Sequence, residues 1–374
     1  MFLALRELKF ARARFGLMGA VVALIAVLMV LLSGLSVGLV NDGVSGLQRL
    51  PATSFAFEKG VQHSSAFSRS VVETSAVETW AGRDGVEEAE PFGNTLVNGR
   101  SGDGVEIDLA LFGVEPGSYL SPAVAEGTRL NGDAPGGIVV SRTAVDDGIK
   151  LGDTITIDRI GTELKVVGTL EDQHTYGHVD VAYVPLRTWQ EVHAGIRPGD
   201  EAPARVYQEI TAVAVKGEAA DLAAGDKAAG TESLTLKESF DASPGYSAET
   251  STLSLIEGFL YAISALVVGA FFTVLTIQRK QEIAVVRAMG ASTGYLLRDA
   301  LAQALILLAL SVGVGVGIGV GLGSMIGGTA PFALETGAIV AASALLVFLG
   351  VVGALGAVLR ITAVDPLTAL GGSR

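Results

Sequence analysis

The sequence predicts an α-helical membrane protein with four transmembrane helices in a 1 + 3 arrangement and an α+β domain inserted after the first. Three observations carry that reading. Of the 374 residues 49% are apolar and only 17% charged, with a mean hydropathy of +0.49, which is rare in a water-soluble domain. The apolar residues gather in four blocks, 16–40, 253–277, 300–323 and 337–359. At about 1.5 Å per residue each block can cross ~30 Å of hydrocarbon. Finally, the polar region 41–252 holds sixteen Lys and Arg against thirty-three Asp and Glu, whereas the short flanks of the blocks are basic.

Taken in order, residues 1–15 are basic (Arg6, Lys9, Arg12, Arg14), with Leu5, Leu8 and Ala11 at helical spacing, which suits an amphipathic helix on the inner membrane surface. Block 16–40 is longer than the apolar core of a signal peptide, and "SGLSVGLVND" offers no A-x-A-like cleavage site, so it is expected to stay as the first span. Residues 41–60 combine turn residues with a short alternating run, a juxtamembrane exit. Strand-like pieces follow at 71–80, 105–112, 137–141, 154–158, 164–169, 180–184 and 208–215, and "SRTAVDDGIKLG" and "LRTWQEVHAG" have helical patterns. Segment 221–230 reads as a loop or short helix. The spans 253–277, 300–323 and 337–359 are joined by a basic loop, 278–299, and by a short loop, 324–336, before the tail 360–374. The positive-inside rule puts both termini and 278–299 in the cytoplasm of a cell-membrane protein and 41–252 outside.

Several functions are excluded or unsupported. There is no cysteine, hence no disulfide and no thiol chemistry. A phosphate-binding P-loop needs Gly-Lys, and that dipeptide never occurs. No H-E-x-x-H pattern supports metal-dependent hydrolysis, and the acidic balance disfavours nucleic acid. The run "GVGVGIGVGLG" lies inside the third span. Its two rows, Gly313, Gly317, Gly321 and Gly315, Gly319, Gly323, suit close helix approach instead.

The charged stretch "RKQEIAVVRAMGAS", 279–292, is patterned as a helix. Ile283, Val286 and Met289 share one face and Gly290 is a natural stop. An apolar knob flanked by charge suits docking into a groove of a cytoplasmic partner, the plainer alternative being a solvated connector. Arg279, Glu282, Ile283, Arg287, Ala288, Gly290, Ala291 and Ser292 fit R-x-x-E-I-x-x-x-R-A-x-G-A-S. On these residues the chain resembles the FtsX-like, MacB-type permease family. Residues 137–192 ("GGIVVSRTAVDDGIKLGDTITIDRIGTELKVVGTL…VAYVPLRTWQEV") resemble that family's extracytoplasmic core. "VDPLTALGG", 364–372, resembles its P-x-x-A-L tail, with Gly371 where a basic residue is usual. The resemblance implies a MacB-like (type VII) ABC permease fold, a homodimer of this chain, and two copies of a separate ATPase that bind ATP and Mg. Coupling would then run through Arg279, Glu282, Ile283, Arg287, Met289 and Gly290.

Members of the family export drugs, lipids, peptides or haem, and others transmit motion to an extracellular partner and transport nothing. The size, small outer domain and four spans of this chain look most like the haem-exporting members, which implies haem as the transported substrate and no intrinsic cofactor. Haem needs an apolar slot, axial ligands and a cation for its propionates. Glu257 is an acid about one turn into the second span, an expensive place for charge. Met29 lies in the first span, Tyr246 and Glu249 stand just before the second, and Arg49 is a cation for a propionate. Each has an ordinary alternative: packing for Met29, helix capping for Tyr246 and Glu249, a neutral or headgroup-paired acid for Glu257, and an interfacial cation for Arg49. In "EDQHTYGHVD", His174 and His178 would share a face for a metal if the segment were helical, but Gly177 and the adjoining strand argue for a loop.

Overall fold

The computed structural model describes residues 12–131, 136–278, 285, 289–326 and 331–362. Residues 1–11, Arg279, Glu282, Ile283, Arg287 and the tail from 363 onward therefore lie outside the described residues. The chain divides into two compact units, one of Val40–Thr250 and one of the remaining residues.

There are four long helices among the described residues, Arg12–Gln48, Tyr246–Gln278, Thr293–Ile326 and Thr336–Thr362, and all but 40–48 of the first and 246–250 of the second fall in the second unit. Each carries an apolar stretch long enough to cross a membrane. All four outrun the apolar blocks of the sequence, because a helix continues as long as its backbone hydrogen bonds and side-chain contacts persist, whatever the polarity of its ends. Arg12–Phe15 accordingly belong to the first span's own helix.

The helices meet through Met18, Val22 and Met29 of the first, Val268 and Phe272 of the second, Leu308 and Val312 of the third, and Leu346 and Ala354 of the fourth. Lipid tails are as apolar as these side chains, so close backbone approach has to supply much of the attraction. Glycine provides it. A Cβ at Gly315 would fall 2.4 Å from the Ala23 carbonyl oxygen, and one at Gly319 would fall 2.8 Å from Val30 Cβ. One at Gly353 would fall 2.4 Å from the Ala265 carbonyl. The other glycine row of the third helix, Gly313, Gly317 and Gly321, has open space around it.

In the outer unit the strands are β1 (Ser54–Glu58), β2 (Val72–Glu73), β3 (Glu88–Ser101), β4 (Glu106–Val114), β5 (Glu126–Gly127), β6 (Gly137–Val140) and β7 (Thr154–Ile157). They continue as β8 (Glu163–Thr169), β9 (Thr175–Tyr176), β10 (Val179–Pro185), β11 (Glu209–Ile210), β12 (Ala212–Lys216) and β13 (Thr231–Thr235). Among the described residues, eleven of them form one mixed sheet, with the main order β13-β1-β12-β3-β4-β10-β6-β8-β5. The pairs β4–β10 and β6–β8 are parallel.

Side chains alternate across this sheet. On β4, Leu109 and Leu111 join a core with Trp80 and Trp189, while Ala110 and Phe112 join an aromatic core on the other face. The first core is covered by helices Ser75–Ala81 and Leu186–His193. Gly93 and Gly113, opposite each other on β3 and β4, leave the recess in which Trp189 lies. The second core contains Phe57 and Phe67, edge to face at 5.0 Å, with Leu47 and Leu50 from the end of the first long helix.

Three sequence expectations are corrected. Segment 71–80 is a two-residue strand followed by a helix, since Ala76 and Trp80 are buried four residues apart, a helical spacing. Residues 41–48 are helical where an exit turn was expected, because Leu47 packs into the aromatic core and holds the last turns wound. The fourteen-residue β3 went unpredicted, its Pro91, Gly93 and Asn94 hiding any alternation.

Candidate functional site

The groups that converge lie where the first long helix ends, the second begins, and a short hairpin meets both; all are in the outer unit. Strands β9 and β10 pair with Tyr176 opposite Val179, so Gly177 and His178 form a two-residue turn. Both have positive φ, 59° and 65°. That is the pattern of a type I′ turn, which matches the twist of a hairpin and favours Gly or Asn at both places.

The hairpin grips the end of the first helix. The Thr175 backbone N–H donates to Ser45 Oγ at 3.0 Å, and that of Gly177 donates to the Gly43 carbonyl at 2.9 Å. Ser243 Oγ, just before the second helix, donates to the same carbonyl at 2.9 Å. Between them stands His178. Its Nδ1 lies 2.8 Å from Asp42 Oδ2 on the first helix, and its Nε2 lies 3.1 Å from Glu249 Oε1 on the second. Burial alone would lower the imidazole's pKa, but the bond to Asp42 and the charges of Glu249 and Asp42 outweigh it and hold the pKa above the ordinary value.

Beneath the turn the polar groups are buried. The His174 ring is 3.0 Å from the Tyr183 hydroxyl through Nδ1, and burial, with the charge of Arg49, pushes its pKa down to about 4. Burial pushes Asp180 up to about 6, against hydrogen bonds from Thr143 and Ser141. The two histidines, one just before β9 and one in the turn, do not converge. His174 is committed to Tyr183 and His178 to two carboxylates, and among the described residues no cluster of three His, Asp or Glu side chains suits a metal.

The other predicted residues are placed as follows. Arg49 pairs with Asp172 at 2.7 Å. Tyr246 opens the second long helix, its ring edge-on to Phe240. Tyr246, Glu249 and Glu257 fall within one broad face of that helix by spacing. Glu257 is half-buried, with no hydrogen bond or ion pair among the described residues. Met29 is 2% exposed within the packed helix cluster, which gives it a packing role in this structure. Met289 is 75% exposed, and Gly290 has φ 98°, the left-handed backbone that ends helices. Sequence reasoning missed Asp42 and the bridging place of His178. The available signal was the Gly-His turn in "TYGHVD", where Asn-Gly would be usual.

Four helices of spanning length, one before and three after an inserted α+β domain in the sequence, define a multi-pass membrane protein. Residues 254–366 match the FtsX-like permease C-terminal family model, so this part of the chain is similar to that family. Over its whole length it is 24% identical to a protein named as hemin transport system permease protein HrtB from Staphylococcus haemolyticus, covering 99% of it. It is 23% identical to the one of the same name from Staphylococcus epidermidis, covering 100%. Among solved structures it is similar to the extracellular domain of the noncanonic ABC-type transporter YknZ from Gram-positive bacteria, at 15% identity and a TM-score of 0.35 over 49% of this chain and 98% of that one. It is likewise similar to the periplasmic region of MacB from Actinobacillus actinomycetemcomitans, at 12% identity and a TM-score of 0.36 over 50% and 89%.

Proposed function

We propose that this permease is the membrane subunit of an ATP-driven exporter that removes haem from the cell membrane. The observation that carries the reading is the likeness, over the whole of this chain, to proteins named as hemin permeases. Glu257 supports it: an acid with no partner among the described residues, inside a helix of spanning length, is costly unless it serves a ligand. Tyr246 and Glu249, earlier on the same helix, are further candidates; Met29 is packed among the helices and Arg49 is paired with Asp172.

Energy comes from a separate ATPase subunit in two copies, for the chain has no Gly-Lys with which to build a P-loop. ATP binding closes that pair, and the 279–292 segment conveys the movement, with Met289 as the exposed apolar knob. The open row Gly313, Gly317, Gly321 supports close approach of a second copy within the membrane. Both termini are cytoplasmic and residues 41–252 lie outside.

Purified permease with its ATPase, in nanodiscs titrated with hemin, tests the reading. A saturable Soret band should appear, and E257Q should weaken hemin binding roughly ten-fold, about 1.4 kcal/mol. A titration identical to empty nanodiscs overturns haem as cargo and leaves export of a lipid, drug or peptide, or motion transmitted without transport.

A further inference from the structure

The Gly177-His178 turn contains a local conflict. A residue with a Cβ is strained at a φ of 65°, and Gly or Asn would close a type I′ turn at lower cost. Histidine stands there with both ring nitrogens engaged, each on a carboxylate from a different long helix. Strain that persists against local preference is expected where the side chain has a task. The groups are partly shielded, with side-chain exposures of 32% for His178, 24% for Asp42 and 35% for Glu249, so their interaction is stronger than that of a fully solvated pair.

From this geometry we infer that His178 is a strut that ties the outer end of the first long helix to the start of the second, so that the two ends and the β9–β10 hairpin move as one body. Facing the imidazole are Asp42 from the first helix and Glu249 from the second, while Pro244 packs under Gly177. Asp180, two residues along β10, feels the charge of Asp42. Backbone bonds already seat the Gly43 carbonyl on the hairpin and on Ser243. His178 adds the grip on the second helix itself, one turn in from its start. The inference concerns joint rigidity within the outer unit and goes beyond export; it stands whether the cargo is haem, another molecule or none.

The absence of cysteine makes the joint accessible to measurement. Gln48 and Ser247, both exposed near the two helix ends, are replaced by cysteine and spin-labelled in the full-length chain in nanodiscs. Dipolar EPR then reads the inter-label distance distribution. H178G relieves the turn strain while removing the strut. It should leave the melting temperature equal or higher and yet broaden the distribution about two-fold. E249Q should broaden it similarly, and E249Q combined with H178G should add little more, as expected of two partners in one interaction. An unchanged distribution in H178G, or broadening that simply adds in the double variant, overturns the strut. Hemin binding is not involved, so failure here and failure of the export reading are separate results.

Discussion

His174 and Asp180 lie in the same hairpin region, yet burial has moved them in opposite senses. Folded His174 gives up its proton at about 4 instead of 6.5. Between those values the unfolded chain binds the extra proton, so this group's contribution to stability rises with pH. Folded Asp180 holds its proton up to about 6 instead of 3.8, so between those values the folded chain binds the extra proton and stability falls as pH rises. Each effect amounts to at most about 3 kcal/mol across its window, and over most of it the two oppose each other. D180N should therefore steepen the rise of stability from pH 4 to 6.5, and H174Q should turn the slope downward, both relative to the parent. Tryptophan fluorescence melts read this cleanly, because both tryptophans, Trp80 and Trp189, are in the outer core. Parallel pH profiles for the parent and both variants would show that the two groups do not titrate as described.

At the scale of elements, the two glycine rows of the third long helix have different neighbours. Gly315 is pressed on the Ala23 carbonyl, and Gly317 meets nothing within 4 Å. G315A should destabilise the helix cluster by about 1–3 kcal/mol, since backbone cannot yield as a flexible side chain can. Within the single chain's helix cluster G317A should be neutral or slightly stabilising, because alanine is the better helix former by about 1 kcal/mol and no neighbour in the chain is met. Unfolding titrations in SDS of the detergent-solubilised chain compare the two, and equal losses would refute the assigned packing. The rows themselves were legible, as a four-residue period can be read in one dimension. Which row touches the first helix was not, since that depends on helix rotation set by Ala23, Ala26 and Val30. β3 illustrates the same limit: it is held by pairing to β4 and β12 on its two edges, and its own residues show little strand preference.

For the whole molecule, the charge asymmetry predicts sidedness. In the cysteine-free background, L151C on the exposed surface of the outer unit should react with a membrane-impermeant maleimide in intact cells. M289C should react only after permeabilisation, and its labelling in intact cells would invert the proposed topology. The number of helices of spanning length, the inserted domain and the place of Glu257 within the second of those helices were all determined by the sequence alone. Each depends on composition along the chain: enough apolar residues in a row to cross a bilayer, a long polar stretch between the first block and the second, one acid among Leu and Phe. Tertiary structure alone decided that Asp42, His178 and Glu249 meet, that Arg49 is taken by Asp172, and that Met29 is packed away. Such juxtapositions join residues 71 to 136 positions apart through the register of a hairpin and the phase of two helices, which no local pattern encodes.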